Sequence, residues 1–207
     1  MRYDGLQEAV SESEPCGPDL DETGDDTYLN YVLPAADRLP SRFYDSSTGA
    51  PFDRAGVDLK SEVKAISALL ERTRDLRLLT LEARFQCLGG QVVGFSECLQ
   101  AMAVLLEHRW EHVHPQAFEG DYTLRQNTLG ALDDRTTVIL PLEYAPLAAD
   151  RRLGQICLRD HKAAAGQVQA REEGRQLDTG SVLEALRKDE GIGEIHAAIV
   201  AAEQALA

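Results

Sequence analysis

The chain has 207 residues, of which 43% are hydrophobic and 27% are charged, a composition typical of a folded globular protein rather than a disordered one. Its 35 acidic and 21 basic side chains give a net charge of −14, which argues against nucleic acid or anionic lipid as a partner because both require a positive surface. With no apolar run long enough for a membrane span and no apolar leader, we expect a cytoplasmic protein. The four cysteines form no C-x-x-C pair and are expected to be free thiols.

Residues 1–56 form the first segment, in which Pro34 and Pro40 interrupt any long helical pattern. The first 26 residues carry nine carboxylates and one arginine, a net charge of −8. We therefore expect an extended acidic N-terminal arm with one short helix near residues 26–33. One functional hypothesis is a regulatory adaptor whose acidic arm binds a basic partner.

Helical periodicity begins at residue 57, and residues 57–160 are predicted to form a helical core with a small β-ribbon. Apolar residues recur at helical spacing over 59–70. The next segment, 76–88, is apolar on most sides and is predicted to be the central, most buried helix. A third helix is expected over 95–113, with Trp110 on its apolar stripe, and a short fourth helix follows.

The remaining pattern completes a mainly α fold, a helical bundle-like domain with a two-stranded β-ribbon. The β-branched run 136–140 and the alternating run 155–159 predict the two strands. Residues 161–180 are polar and rich in glycine, which indicates a mobile surface loop. Residues 181–207 are predicted to be C-terminal helices that start with a capping box at Ser181. We expect these helices either to mediate a homo-oligomer contact or to lead into a domain missing from this chain.

One motif has the letters of a zinc enzyme. His108-Arg-Trp-Glu111-His112 matches H-x-x-E-H, in which two histidines one helical turn apart bind zinc and the glutamate acts as a base. The motif is short, and Trp110 within it belongs to the apolar stripe, so ordinary surface or helix-end histidines are the alternative interpretation. We predict no catalytic residues, no metal ligands and no cofactor, and retain a zinc-dependent hydrolase as the alternative function.

Five blocks of sequence resemble, in order and spacing over residues 14–145, the ImpA-related N-terminal domain of TssA proteins from the bacterial type VI secretion system. Their matching residues are Pro15, Cys16, Gly17, Asp19 and Leu20; Asp75, Leu76 and Arg77; Gly89 and Gly94; Trp110, His114 and Pro115; and Arg125. The resemblance implies a cytoplasmic, non-enzymatic component that binds baseplate, inner-tube or sheath subunits during assembly.

The resemblance also implies structural roles for the matching residues. Cys16 is expected to pack against the helices, and Asp75 to cap or form an ion pair at the start of the central helix. Trp110 is expected in the core, and His114-Pro115 is expected to fix the end of the third helix. Arg125 is expected to hold the following loop. The partners implied are Arg74 or Arg77 for Asp75, and Glu119 or Asp121 for Arg125.

Overall fold

The computed structural model describes residues 2–171 and 177–207, and this part of the chain is mainly α-helical. Its helices are α1 (Asp26–Asp37), α2 (Leu59–Leu70), α3 (Leu76–Leu88), α4 (Val92–Arg109), α5 (Thr123–Gly130), α6 (Leu140–Tyr144), α7 (Leu158–Ala164), α8 (Thr179–Lys188) and α9 (Ile192–Leu206). The strands β1 (Ala148–Asp150) and β2 (Gly154–Ile156) form an antiparallel ribbon in which Ala148 pairs with Ile156. The predicted fold class, mainly α with a small β-ribbon, is confirmed.

Helix α3 is the centre of the molecule. All of its residues except Arg77 and Arg84 are buried, and it packs against α2, α4, α5 and α6. The predictions of helices over 59–70 and 76–88 agree with α2 and α3. Because nearly every side of α3 contacts another element, an apolar pattern all round the helix correctly indicated its central position.

The acidic N-terminal segment lies against the helices. Tyr3, Leu6, Cys16 and Leu20 are buried in the main hydrophobic core, while most carboxylates of the segment remain exposed. The buried Arg74 holds this segment by donating hydrogen bonds to the carbonyl oxygens of its residues, including that of Leu6 at 3.0 Å. The segment therefore packs through apolar side chains and backbone groups, and its acidic side chains face solvent.

The prediction of a first strand over residues 136–140 is wrong. Residues Arg135–Ile139 form a π-helical segment that runs into α6. The Asp134 carboxylate accepts hydrogen bonds from the backbone N–H groups of Thr136 and Thr137 at 3.1 and 2.7 Å, which initiates a helical turn. Val138 is 1% exposed against the core, so capping and burial outweigh the β propensity of the run.

The second predicted strand and the predicted loop also shift along the chain. Only residues 155 and 156 of the run 155–159 are in β2, because Cys157 caps α7 and the Asp160 carboxylate accepts from its backbone N–H. Helix α7 occupies the start of the predicted loop 161–180, and residues 172–176 of that loop lie outside the described part of the chain. The division of the chain at residues 56, 160 and 180 stays a prediction.

The C-terminal helices pack on the rest of the protein. Asp178, rather than Ser181, is the N-cap of α8: its carboxylate accepts from the Ser181 backbone N–H at 2.9 Å, so the predicted capping box is wrong. Helix α8 and the ribbon share a small second core, and α9 lies along α4. The Ser96 hydroxyl donates to the carbonyl oxygen of Ala198 at 2.6 Å across that contact. In the part of the chain that the structure describes, no helix is both long and apolar enough to span a membrane.

Candidate interaction site

Four of the five sequence blocks meet at the N-terminus of α3. The Arg74 backbone N–H donates to the carbonyl oxygen of Cys16 at 2.7 Å, and the Arg74 carbonyl accepts from the backbone N–H of His114 at 3.0 Å. The Leu76 N–H in turn donates to the His114 carbonyl at 2.8 Å. The segments around residues 16, 75 and 114 are therefore joined through their backbones, although they are far apart in the sequence.

Gly17 is the point of closest approach between two of these segments. Its φ angle of +67° lies in the left-handed region, and a Cβ atom at this position would lie 2.2 Å from the Arg72 carbonyl oxygen. The neighbouring Cys16 is 2% exposed, and burial raises the pKa of its thiol. Pro15 leads into this turn and its carbonyl accepts from Val10, while Leu20 is in the core. The turn admits only glycine because the backbone of residue 72 occupies the space of a side chain.

Arg77 is the centre of a charged cluster on this turn. Its guanidinium contacts three carboxylates: Asp75 at 2.8 Å, Asp19 at 2.5 Å and Asp21 at 2.9 Å. Asp75 is also the N-cap of α3, where its Oδ1 accepts from the Arg77 backbone N–H at 2.8 Å. The partner of Asp75 is thus Arg77 and not Arg74. These contacts hold the N-terminal segment to the start of the central helix.

The pKa values of the two less exposed carboxyls in this cluster shift in opposite directions. For Asp75, which is fully buried, burial raises the pKa and outweighs the opposing effect of Arg77. For Asp19, burial also acts to raise the pKa, but its hydrogen bonds with Arg77 bring the pKa below the usual value. Asp19 therefore favours its charged form in the folded protein.

His114 is buried beneath the turn at 3% exposure. Its ring Nε2 lies 2.9 Å from the Gly17 carbonyl oxygen, which only accepts, so Nε2 donates this hydrogen bond. Its Nδ1 lies 3.5 Å from a carboxylate oxygen of Asp19. The following peptide bond to Pro115 is cis, and Pro115 is buried. His114 thus connects the end of the α4 segment to the N-terminal turn.

Arg125 holds the same segment from the other side, by a different route from the one expected. It is 3% exposed and donates to the carbonyl oxygens of Trp110, Val113 and Pro115 at 2.9–3.2 Å, not to Glu119 or Asp121. Beyond the end of α4, these carbonyls have no helical partners, and the guanidinium fork can reach all three. The Asp121 carboxylate instead accepts from the backbone and hydroxyl of Thr123.

Trp110 is exposed, so the prediction that it is a core residue is wrong. Its exposed fraction is 43%, and its ring centroid lies 5.1 Å from that of Tyr122 and 4.6 Å from the Arg125 guanidinium carbon. The helical stripe that placed it in the core stops at Arg109, where α4 ends, and Leu105 fills the last core position. Phe118 and Leu124, on the same loop and the start of α5, are 76% and 65% exposed.

The family model for ImpA, N-terminal, type VI secretion system, matches residues 7–134, more than half of the chain and all of the segments described above. The chain belongs to this family. Its fold is similar to a solved N-terminal domain of the TssA component of the type VI secretion system from Burkholderia cenocepacia, which includes the conserved ImpA_N region. The TM-score is 0.63 at 19% identity, over 99% of this chain and 81% of that one. No curated protein matches the sequence.

The remaining block, which contains Gly89 and Gly94, lies at the opposite end of α3. Gly89 follows the last residue of α3, and Gly94 is in the first turn of α4. A Cβ atom on Gly94 would lie 2.3 Å from the side-chain oxygen of Gln86, so a glycine here lets α4 approach α3 closely. This block therefore fixes the packing of two helices and is separate from the residues around His114.

The three residues of the zinc-enzyme motif do not lie on one helix. His108 is the penultimate residue of α4, whereas Glu111 and His112 follow in the turn after it, and all three are exposed. The two histidines are thus not on one continuous helix face. Within residues 2–171 and 177–207, no group of three or more His, Cys, Asp or Glu side chains is placed to hold a metal ion.

Sequence reasoning missed two features of this site. Arg74 is buried, and its hydrogen bonds to backbone carbonyls resemble those of Arg125. The exposed Phe118 and Leu124 were also not singled out. A run of turn-forming residues around an isolated phenylalanine was the available signal, because a short polar loop offers little to bury such a ring.

Proposed function

We propose that this chain is a non-enzymatic assembly component of the bacterial type VI secretion system that acts in the cytoplasm. It binds baseplate, inner-tube or sheath subunits. One observation carries this proposal: Cys16, Asp75 and His114 of the family blocks are buried against other parts of the chain, whereas large apolar side chains of the loop after α4 are on the surface.

The buried groups are poorly suited to catalysis. A general base or nucleophile must reach the substrate, whereas Cys16, Asp75 and His114 are each at most 3% exposed. Their hydrogen-bonding atoms face other parts of the chain, such as Gly17 and Arg77. These residues are better explained as the support that fixes the loop after α4.

The exposed groups are suited to binding. Trp110, Phe118 and Leu124 belong to one stretch of 15 residues, and large apolar side chains left in water are typical of interaction surfaces. Aromatic residues with a rigid support contribute most to protein interfaces because they lose little entropy on binding. The loop is rigidly supported, since Arg125 joins three of its carbonyls to α5.

The test is capture of individually purified baseplate, inner-tube and sheath subunits of the same secretion system by the immobilised chain, with bound metal quantified in the same sample. Selective capture of one subunit by a metal-free sample supports the proposal. Capture of no subunit, together with one zinc ion per chain, contradicts it and favours the hydrolase. The variant with His108 and His112 exchanged for alanine is compared for bound metal only, since a zinc hydrolase would lose its zinc in this variant and an assembly protein has none to lose.

Self-association is a second property that we propose, because α9 presents apolar side chains to solvent. Ile199 is 49% exposed and Leu206 is 71% exposed. A homo-oligomer contact through the C-terminal helices covers these side chains. Sedimentation equilibrium of the chain and of the Ile199→Ser variant tests this contact: the variant is expected to shift the distribution towards monomer, and an unchanged distribution contradicts it.

A further inference from the structure

Two segments that are distant in the sequence lie side by side at one end of the molecule. A groove there is lined on one side by Glu14, Asp19 and Glu22 of the N-terminal segment. The other side is formed by His112, His114 and Gln116, shortly after Trp110. The Arg109 guanidinium adds a direct contact by donating to the carbonyl oxygen of Gln7 at 2.9 Å. The acidic segment and the aromatic loop thus form one continuous surface.

This surface is strongly negative. The exposed carboxylates of the two segments are Glu8, Glu12, Glu14, Asp21, Glu22, Glu107, Glu111, Glu119 and Asp121. The arginines nearby offset little of this charge at the surface, because Arg77 is already shared by three carboxylates, Arg125 is buried and the partly exposed Arg109 contributes one positive charge. Charges of one sign around a cleft attract a partner of the opposite sign.

The same surface has an apolar centre. Trp110 rests on Tyr122 and Arg125, and its exposed edge is part of the loop that carries Phe118. Glu111 and Glu119 are each next in sequence to one of these two aromatic residues. The surface therefore presents aromatic side chains that are flanked by carboxylates.

We infer that this surface, defined by residues 8–22 and 107–124, binds a partner segment in which lysine or arginine residues flank an apolar side chain. The inference rests on the proposed function, since the partner is one of the secretion subunits. A second copy of the chain is a poor occupant, because two copies meeting through this face bring like charges together. The apolar side chain covers Trp110 and Phe118, and the basic residues pair with the surrounding carboxylates.

The test measures the affinity of the captured secretion subunit for variants of the full chain at two salt concentrations. One variant removes the apolar centre, Trp110→Ala with Phe118→Ala, and a second neutralises the rim, Glu111→Gln with Glu119→Gln. The matched controls are Leu158→Ala, and Glu184→Gln with Glu190→Gln, which alter exposed residues of α7, of α8 and of the turn after α8. Helices α7 and α8 pack against each other, α6 and β1.

We expect the first variant to weaken binding at least about tenfold and the second about threefold at low salt, with the controls unchanged. The effect of the second variant is expected to vanish between about 50 and 500 mM salt, because screening removes the attraction of exposed charges. A subunit that binds all variants equally, or whose binding is independent of salt, overturns this inference and leaves the proposed function standing. Failure of every subunit to bind the unaltered chain overturns both.

Discussion

The segment after α4 has an exposed half, residues 110–112, and a buried half that begins at Val113, and the two halves differ in role. Val113 and His114 are 0% and 3% exposed and are tied to other segments through backbone and ring hydrogen bonds. Trp110, three residues earlier, is 43% exposed, and Glu111 and His112 are also exposed. A single sequence block can therefore contain both a support and the surface that it supports. Substitutions in each half distinguish these two roles.

The largest loss of stability is expected for Gly17→Ala, because the new Cβ atom collides with the Arg72 carbonyl oxygen. We expect a loss of roughly 3 kcal/mol or more, measured by urea unfolding. Gly24→Ala is the matched control: its φ is also +67°, but no atom lies within 4 Å of the new Cβ. The control should lose only about 1 kcal/mol, the cost of a left-handed alanine. Equal losses for both variants contradict the close packing of the turn at Gly17.

Removing a buried acceptor from the charged cluster should have the next largest effect. Asp75→Asn retains an oxygen for the N-cap hydrogen bond but puts an NH2 donor in place of the oxygen that accepts from Arg77 Nη2 at 2.8 Å, and we expect a loss of about 2–3 kcal/mol in the free energy of unfolding because buried N–H groups then face each other. Arg77 keeps Asp19 and Asp21, so the loss falls short of that for an isolated buried pair. The control is Asp58→Asn at the exposed N-cap of α2, where asparagine caps equally well and stability should hardly change. Equal stability changes for Asp75→Asn and Asp58→Asn contradict a structural role for the second Asp75 oxygen.

The contrast between the two halves is tested directly by Val113→Ala and Trp110→Ala. We expect about 2 kcal/mol for Val113→Ala, which opens a cavity in the core, and about 1 kcal/mol for Trp110→Ala, whose ring is half in solvent. The order is unusual, since the larger side chain has the smaller effect. Thermal unfolding of both variants under one condition provides the measurement. A larger loss for Trp110→Ala restores the interpretation of Trp110 as a core residue.

The smallest effect is expected from the pH dependence at Asp19. Its hydrogen bonds with Arg77 hold its pKa in the folded protein below the usual value for an aspartate, so its charged form stabilises the fold above that usual value. This contribution is lost as the pH falls through the lowered pKa and the carboxyl is protonated. The stability difference between the unaltered chain and Asp19→Asn should therefore be constant above about pH 5 and shrink towards about pH 2.5. Urea unfolding at several pH values measures it, and a difference that grows on acidification contradicts the assignment.

Local sequence signals predicted much of the helical framework. Helices α2 and α3 lie where apolar periodicity placed them, and Asp75 is at the start of α3 as its position before the apolar run indicates. The ribbon was predicted too early in the chain, because the run 136–140 has β propensity. The Asp134 cap and the burial of Val138 favour a helical turn there instead. Propensity is a weak signal in short segments, where a single capping hydrogen bond is of comparable energy.

The sequence by itself determined the family, the mainly α class and the order of the principal helices, because apolar spacing and motif order are properties of the chain alone. Only the tertiary structure decided which side of each motif faces water. The end of α4 at Arg109 turns Trp110 out of the core. Arg125 donates to backbone carbonyls, which the spacing of nearby carboxylates in the sequence could not predict. Burial and long-range hydrogen bonds depend on segments about 60–100 residues apart, and periodicity within one helix carries no information about them.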